Sequence, residues 1–460
     1  MRRPPTGVAL SWLFLATLLP IAGPLIYFFI GERRIGKRRK QGIETIRNEY
    51  QIKLENSTWK DLAAVDWSRH PAAARGMDLL ARKVSGNITV KGSSFELFSD
   101  TQEILREIAL DLENARSSIL MEFYIWNEGG LADEVLDALM RAAGRGVACL
   151  LLVDAIGAAP WWKGDQPRKL TDAGVMVRPA LPVGLIRTFI GRTDLRIHRK
   201  IVVIDSRVAW TGSMNMVDPR FFKQSAGVGE WVDAMVRLRG TVVTLLGATV
   251  VSDWSLESNE SISTIIERCG LNPASPEGSL DVQVIASGPE ETSDCLLQML
   301  LATINAAKKE LIVTTPYLAP DDSIIHALRG AAGRGVNVQL IVPEKVDSFL
   351  TRYASRSYYD ELLQMGVEIH LYRGGLLHTK SITVDGWMSM FGTVNLDMRS
   401  LWINYEVSLF IYDTGFAKEL RALQQSYIRD ARRLDPEAWK KRRFDERFIE
   451  NALRLASPLL

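Results

Sequence analysis

The sequence has few cysteines and little net charge. Its three cysteines, Cys149, Cys269 and Cys295, are widely spaced and form no Cys-x-x-Cys pair. That pattern argues against a disulfide framework or zinc knuckle and favours three buried thiols in a reducing compartment. The net charge of +2 disfavours a dedicated nucleic-acid-binding protein. Because no group of cysteines or carboxylates has metal-ligand spacing, the sequence predicts no metal and no cofactor.

One long apolar run lies near the N-terminus. Residues 8–30, VALSWLFLATLLPIAGPLIYFFI, contain no charge, and about 20 such residues cross a bilayer as a helix. A cleaved signal peptide usually has a shorter apolar region, and a buried soluble helix seldom has so basic a flank. Pro20 and Pro24 could kink the segment or make it re-entrant. We predict an N-terminal transmembrane helix.

The residues after this run are strongly basic. The stretch GERRIGKRRK at 31–40 contains six Lys or Arg, against two before the apolar run. By the positive-inside rule, the rest of the chain is predicted to face the cytoplasm. The basic stretch itself is predicted to lie among anionic lipid headgroups.

Much of the remaining chain is repeated. AAGRGV occurs at 142–147 and again at 331–336, each time after a helical pattern and before an apolar strand. Each half is therefore predicted as an α/β unit with a mixed sheet, and the fold class as two tandem α/β halves. The predicted divisions are a membrane anchor with its basic flank (1–45), a connecting segment (46–89), the first half (90–255), a turn-rich linker (256–279), the second half (280–430) and a basic amphipathic tail (431–460).

A short polar frame occurs once in each half. It consists of a histidine, a lysine and an aspartate at fixed spacing: His198, Lys200 and Asp205 in RIHRKIVVID, and His378, Lys380 and Asp385 in GLLHTKSITVD. Side chains alternate between the faces of a strand, so each histidine projects with its lysine and each aspartate faces the other way. We interpret the aspartates as structural anchors. A single His-x-Lys is typical of a surface strand, whereas two matched frames indicate a shared site.

Each frame is followed by a Gly-x-x-Asn at identical spacing. GSMN occupies 212–215 and GTVN occupies 392–395, so that 17 residues separate histidine from asparagine in both halves. The uncharged hydrogen-bonding side chains are predicted to bind phosphate from a neighbouring strand: Ser213, Asn215, Thr393 and Asn395. Packing of the halves about a pseudo-twofold axis would bring both frames into one pocket.

Two histidines, two lysines and two amides suit a phosphodiester substrate. Ammonium and amide groups can bind the non-bridging oxygens and stabilise charge at a pentacoordinate phosphorus. One imidazole can attack phosphorus while the other protonates the departing alkoxide. The covalent intermediate would be a phosphohistidine, which a second alcohol would displace.

The attacking imidazole must be neutral and oriented, which requires a carboxylate at its other nitrogen. NYEVSLFIYD offers Glu406, and GEWVDAMVRLRG offers Asp233, which aligns with Glu406 when the following strands are superposed. Glu230 is a weaker candidate. The other histidines lack this context and are predicted to be structural or surface residues: His70, His326 and His370.

These residues resemble the phospholipase D superfamily, whose mark is a duplicated HxKxxxxD motif. The stretches EFYIWNEGG, WTGSMNMVDPRFFKQSAGVGEW and GTVNLDMRSLWINYE are similar to bacterial cardiolipin synthases of the phospholipase D type. The resemblance covers nearly the whole chain. It implies a phosphatidyltransferase of the bacterial inner membrane that converts two phosphatidylglycerol molecules into cardiolipin and glycerol.

The resemblance also implies residue roles. Both complete frames would be catalytic, including Asp205 and Asp385, with His198 as the nucleophile and His378 as the acid and base. Such synthases commonly begin with two membrane segments, whereas one is predicted here. The partners would be phosphatidylglycerol and other anionic membrane lipids, and not nucleic acid.

Three stretches are candidate membrane-docking surfaces: PWWKGDQPRK at 160–169, the insert LPVGLIRTFIGRTDLR at 181–196, and the tail at 435–460. The tail mixes aromatic and basic residues, as interfacial helices do. The alternative is that Trp161, Trp162 and the tail pack on the protein itself.

Three rival functions would use or retain part of this pattern. A membrane-anchored phosphodiesterase would use the same machinery with water as the acceptor. A phosphatidylserine synthase would need a cytidine-nucleotide site and a serine acceptor, for which the sequence gives no independent signal. A catalytically silent scaffold would be expected to carry a degenerate frame, and both frames here are complete.

Overall fold

The computed structural model describes residues 6–27, 42, 64–182, 194–289 and 294–454. The α-helices are Thr6–Leu18 (α1), Ala22–Ile26 (α2), Ala72–Ser85 (α3), Thr101–Glu113 (α4), Leu131–Gly144 (α5), Ala159–Trp162 (α6), Gln166–Asp172 (α7), Val242–Ser258 (α8), Ile262–Cys269 (α9), Cys295–Ala306 (α10), Asp322–Gly333 (α11), Phe349–Ser357 (α12), Tyr359–Gln364 (α13), Met398–Trp402 (α14), Thr414–Arg429 (α15), Pro436–Lys440 (α16) and Phe444–Arg454 (α17).

The strands of the first half are Thr89–Phe98 (β1), Ser118–Phe123 (β2), Ala148–Asp154 (β3), Met176–Ala180 (β4), Ile201–Ile204 (β5), Val208–Gly212 (β6), Trp231–Val232 (β7) and Met235–Gly240 (β8). Those of the second half are Leu280–Ser287 (β9), Glu310–Thr314 (β10), Leu318–Ala319 (β11), Asn337–Pro343 (β12), Glu368–Tyr372 (β13), Leu376–Leu377 (β14), Ser381–Val384 (β15), Met388–Gly392 (β16), Leu396–Asp397 (β17), Glu406–Tyr412 (β18) and Ala431–Arg433 (β19).

Within the described residues, one sheet of 15 strands runs through both halves. The halves join where β1 pairs antiparallel with β9. From β1 outward the order is β8, β6, β5, β2, β3, β4, and from β9 outward it is β18, β16, β15, β10, β12, β13, with β19 added at the edge. Each half is mixed, since β2–β3 is parallel and β2–β5 antiparallel. The predicted fold class of two tandem α/β halves is confirmed.

Helices cover both faces of the sheet, so the inner strands are apolar on both sides. The strand β2, SILMEF, is buried at every position. In the first half α4 and α5 pack together over one face. On the other face α8 contacts β2, β5, β6 and β8 and also reaches β9 of the second half. The long apolar helix α8 therefore ties the halves together beneath the sheet.

The two aspartates of the repeated frames lie at turns. Asp205 begins the turn between β5 and β6, and its carboxylate accepts hydrogen bonds from the backbone N–H groups of Arg116, Ser117 and Ser118. Asp385 accepts from the three N–H groups of residues 308–310 in the same way. Both have positive φ, 52° and 49°, which an aspartate tolerates better than most residues. Each holds the start of a neighbouring strand.

The N-terminal apolar segment is divided. Instead of the predicted single helix over 8–30, α1 ends at Leu18 and α2 begins at Ala22. Gly23 packs so closely on α1 that an added Cβ would lie 2.5 Å from the carbonyl oxygen of Leu15. Among the residues the structure describes, no helix is long and apolar enough to cross a membrane. The basic stretch 31–40 lies outside the described residues.

The other predicted membrane-docking stretches have different outcomes. Trp161 is buried and donates its indole N–H to Gln166, so for this residue the alternative of packing on the protein is correct. In the insert, residues 183–193 lie outside the described part of the chain. In the tail, Trp439 is buried against Tyr359, while Phe444 and Phe448 on α17 are exposed.

Candidate active site

The two His-Lys frames meet where the halves exchange short backbone pairings. Residues Leu376 and Leu377 of β14 pair in parallel with β7 of the first half, and the backbone N–H of His378 donates to the carbonyl of Val232 at 2.8 Å. In the matching contact the first half donates to the second, since the N–H of His198 donates to the carbonyl of Tyr405 at 2.8 Å. Each histidine is thus fixed to the backbone of the opposite half.

Each imidazole also pairs with a carboxylate from the opposite half. Nδ1 of His198 lies 2.9 Å from Oε2 of Glu406, and Nδ1 of His378 lies 2.7 Å from Oδ1 of Asp233. All four side chains are buried. The sequence predicted both carboxylates, but symmetry did not say which histidine each would hold. Glu230 is exposed and contributes its carbonyl to β14 instead.

The electrostatics favour neutral imidazoles paired with charged carboxylates. Burial lowers the pKa of His198 to about 4, against the opposing charge of Glu406. Burial likewise lowers the pKa of His378 to about 4, and the charge of Lys380 adds to the effect. Burial alone would raise the pKa of both carboxyls, but the facing histidines hold the pKa of each below its usual value. A neutral ring that donates from Nδ1 presents Nε2 as a base or nucleophile.

The two lysines are buried beside these pairs. Nζ of Lys200 donates to the carbonyl of His198 at 2.6 Å, and Nζ of Lys380 donates to that of His378 at 2.5 Å. Burial lowers the pKa of Lys200 to about 8, although Glu406 and Asp233 both favour its charged form. Burial also lowers the pKa of Lys380. Both ammonium groups are therefore poised to gain from an added negative charge.

The hydroxyls of the Gly-x-x-Asn stretches, which were predicted to bind phosphate, contact the carboxylates of the site. Ser213 Oγ donates to Asp233 at 2.6 Å, and Thr393 Oγ1 donates to Glu406 at 2.5 Å. Each hydroxyl thereby steadies the carboxylate that holds a histidine. The amide oxygen of Asn215 accepts from the backbone N–H of Ile125 at 3.2 Å, which leaves its NH₂ group as a donor.

Several residues of the site were not predicted. Arg199 lies on the opposite face from His198, where its guanidinium pairs with the buried Asp253 of α8 and donates to the carbonyl of Glu406. Tyr124 lies with its ring 5.0 Å from that of His198. Trp231 lies 4.4 Å from the ring of His378. A lone aspartate in the apolar sequence of α8 was the one available signal for the buried ion pair.

The remaining histidines lie outside the site. His70 pairs with Asp281 at 2.7 Å, His370 lies on β13 beside Glu368 at 3.4 Å, and His326 is exposed on α11.

The sheet of two matched halves and the joined His-Lys frames define a phospholipase D-like class of enzyme. A family model described as "Cardiolipin synthase, PLD-like domain" matches residues 108–225 and 300–427, and one described as "Phospholipase_D-nuclease N-terminal" matches residues 1–32. The chain belongs to the family of phospholipase D-like cardiolipin synthases.

Curated relatives are similar over the full length. Cardiolipin synthase A of Erwinia tasmaniensis is 44% identical over 466 residues, covering 100% of this chain and 94% of the relative. Cardiolipin synthase A of Edwardsiella ictaluri is 41% identical with the same coverage. Among solved structures, the phosphatidylserine synthase of Haemophilus influenzae has a TM-score of 0.61 at 15% identity, covering 84% of this chain and 100% of that one. This last likeness supports the fold alone.

Proposed function

We propose that the protein transfers a phosphatidyl group from one phosphatidylglycerol to a hydroxyl of a second, forming cardiolipin and releasing glycerol. The observation that carries the proposal is the pair of neutral imidazoles, each held at Nδ1 by a carboxylate of the opposite half. Two basic Nε2 atoms in one buried centre suit a two-step exchange between alcohols. We infer that the halves are related by a pseudo-twofold axis through this centre.

In the first step, Nε2 of His198 attacks phosphorus and the bond from phosphorus to the glycerol oxygen breaks. His378 gives the departing oxygen its proton. Both histidines have a pKa of about 4 in the free protein. The negative charge of the bound phosphodiester raises the pKa of a nearby imidazole, so His378 takes up a proton from solvent when the substrate binds. The product of this step is a phosphatidyl group bonded to His198.

In the second step, the now neutral His378 removes a proton from the hydroxyl of the second phosphatidylglycerol. That oxygen attacks phosphorus, the bond from phosphorus to His198 breaks, and cardiolipin leaves. Lys200 and Lys380 stabilise the charge on the non-bridging oxygens in both steps. Asp205 and Asp385 act through the fold, because their carboxylates are occupied by backbone N–H groups.

Transfer requires that water be kept from the intermediate. Trp231 belongs to a buried apolar cluster beside His378 that includes Phe222, Val228 and Leu376. This apolar lining favours a lipid alcohol over water and supports a transferase over a hydrolase.

We also propose that the protein acts at the cytoplasmic face of the bacterial inner membrane. The α1–α2 pair exposes large apolar side chains such as Leu13, Phe14 and Ile21, and such a surface is stabilised by contact with lipid. The basic stretch at 31–40 would then lie among anionic headgroups.

The test uses the purified full chain in phosphatidylglycerol vesicles, with EDTA and no nucleotide, followed by mass spectrometry of the lipids. We expect cardiolipin together with an equal amount of glycerol. His326→Ala serves as the matched control for histidine variants, because His326 is exposed on α11. Phosphatidic acid as the sole product would make the protein a hydrolase. The absence of any turnover would favour the alternative of a catalytically silent scaffold.

A further inference from the structure

We propose that the packed helices α12 and α17 form a membrane-docking edge that delivers lipid to the His378 side of the active site. This inference rests on the proposed function. The edge is defined by four exposed apolar side chains: Phe349 and Leu350 on α12, and Phe444 and Phe448 on α17. Phe444 is 81% exposed and Phe349 is 63% exposed, although aromatic side chains of this size are usually well covered.

The two helices that carry these side chains pack against each other. Arg356 of α12 pairs with Glu446 and Glu450 of α17, and Arg454 lies over the ring of Tyr358, at the end of α12. The two helices therefore pack against each other and share a network of ion pairs. Each helix carries two exposed apolar side chains on this packed pair.

A chain of contacts joins this edge to the active site. Asp347, two residues before α12, accepts from the hydroxyl of Tyr317 at 2.9 Å and pairs with Lys223 at 3.2 Å. Nζ of Lys223 lies 5.4 Å from the ring centroid of Trp231. The ring of Trp231 in turn contacts that of His378. The docking edge is thus continuous with the side of the site where the second lipid must bring its hydroxyl.

The charge of the edge selects an anionic lipid surface as its occupant. Its exposed cations are Lys345, Arg352, Lys441, Arg443 and Arg447. Against them α17 carries Asp445, which pairs with Arg443, and Glu446, which is 45% exposed and pairs with Arg356. Aromatic side chains surrounded by cations are typical of surfaces that enter the headgroup region of anionic bilayers. A second copy of this chain would offer the same cations and be repelled.

A site-specific probe tests docking directly. The native cysteines Cys149, Cys269 and Cys295 are all buried, so Phe349→Cys can be labelled with an environment-sensitive fluorophore in the full chain. Adding phosphatidylglycerol vesicles should shift the emission to the blue and raise it severalfold. Leu110→Cys, on the exposed face of α4 in the first half, is the matched control and should not respond. Equal responses, or none from Phe349→Cys, would overturn the proposal.

A second measurement separates docking from catalysis. We expect Phe349→Ser combined with Phe444→Ser to lower cardiolipin formation in long-chain vesicles by about tenfold or more. The same variant should keep the wild-type rate on short-chain phosphatidylglycerol dissolved as monomers, and Leu110→Ser should be unaffected in both assays. Equal loss on both substrates would point to a folding defect and refute a docking role. A change of oligomeric state with unchanged vesicle activity would make the edge a protein interface.

The two tests also distinguish a failure of the docking proposal from a failure of the proposed function. The fluorescence response does not depend on which lipid product forms. If wild-type protein made phosphatidic acid alone, the transferase assignment would fail while docking could still be observed.

Discussion

His198 and His378 occupy matched positions in the two halves, but their surroundings differ. Glu406, which holds His198, accepts hydrogen bonds from Thr393 and Asn404 as well. Asp233, which holds His378, accepts on Oδ1 alone from the histidine and Ser213. Within the described residues, its buried Oδ2 has no hydrogen-bond partner.

This difference has an electrostatic consequence. A carboxylate satisfied by several donors is a weaker base than one with an unsatisfied buried oxygen, which gains more from a facing positive charge. The unsatisfied oxygen of Asp233 therefore favours a protonated His378 against the opposing charge of Lys380. Glu406 is better suited to hold a neutral His198 in one orientation, and this supports the proposed division into nucleophile and acid.

The strongest test of this difference uses a phosphatidyl ester of p-nitrophenol, whose departing oxygen needs no proton. With phosphatidylglycerol, His198→Ala and His378→Ala should each lower turnover by about a thousandfold or more. With the activated ester, His378→Ala should still release a stoichiometric burst of p-nitrophenolate, since only the acid is missing. His198→Ala should give no burst. Rapid-mixing absorbance measures it, and a burst from His198→Ala alone would reverse the roles.

Variants of the two carboxylates should differ in activity in the same assay. Glu406→Gln and Asp233→Asn keep the shape of the site but remove the charge that fixes each imidazole, and each should slow cardiolipin formation by roughly a hundredfold. With the activated ester, the burst rate of Asp233→Asn should recover to near wild type, while that of Glu406→Gln should stay low. Identical behaviour of the two variants would mean that the surroundings of the histidines are functionally equivalent.

With the activated ester, which needs no proton from His378, the pH dependence of kcat/KM for the burst is expected to form a bell. His198 must be neutral, and its pKa of about 4 means that activity is lost as pH falls through that value. Lys200 must be charged, and its pKa of about 8 means that activity is lost as pH rises through that value. Burial lowers the pKa of Lys380 too, so the alkaline limb should not lie above that of Lys200. Initial rates from pH 3.5 to 10 measure the profile, and a rate that stays flat to pH 9.5 would contradict it.

The sequence predicted the fold and the central residues because the duplication fixes both. Two copies of one pattern identified each half as an α/β unit with a mixed sheet, and the matched frames located His198 and His378. The cross-pairing of Glu406 and Asp233 could not be predicted, since sequence symmetry allows each carboxylate to serve either histidine. The sequence offered Pro20 as a point where the apolar segment could kink, and the break between α1 and α2 lies there. The close approach of Gly23 to α1 could not be predicted, because hydropathy counts only apolar residues.

Arg199 was missed for a related reason. Its position between His198 and Lys200 says only that it faces away from the site. Its importance depends on Asp253, which lies 54 residues later in the chain and is brought beneath the sheet by α8. In the second half the matched residue is Thr379, whose hydroxyl lies 3.1 Å from that of Tyr427. The residue that follows His198 thus forms a buried ion pair, whereas the residue that follows His378 forms a neutral hydrogen bond.

Removal of these two contacts should lower the stability of the protein by different amounts. Arg199→Met leaves the buried carboxylate of Asp253 without its cation and should lower the free energy of unfolding by about 3–5 kcal/mol. Thr379→Val removes one neutral hydrogen bond and should cost about 1 kcal/mol. Denaturant unfolding of the purified chain measures both. Arg199→Met combined with Asp253→Leu should recover most of the lost stability, because the uncompensated charge of Asp253, rather than the lost contact, causes the loss. A double variant as unstable as Arg199→Met alone would show that Arg199 acts chiefly through the carbonyls of Glu406 and Ser287.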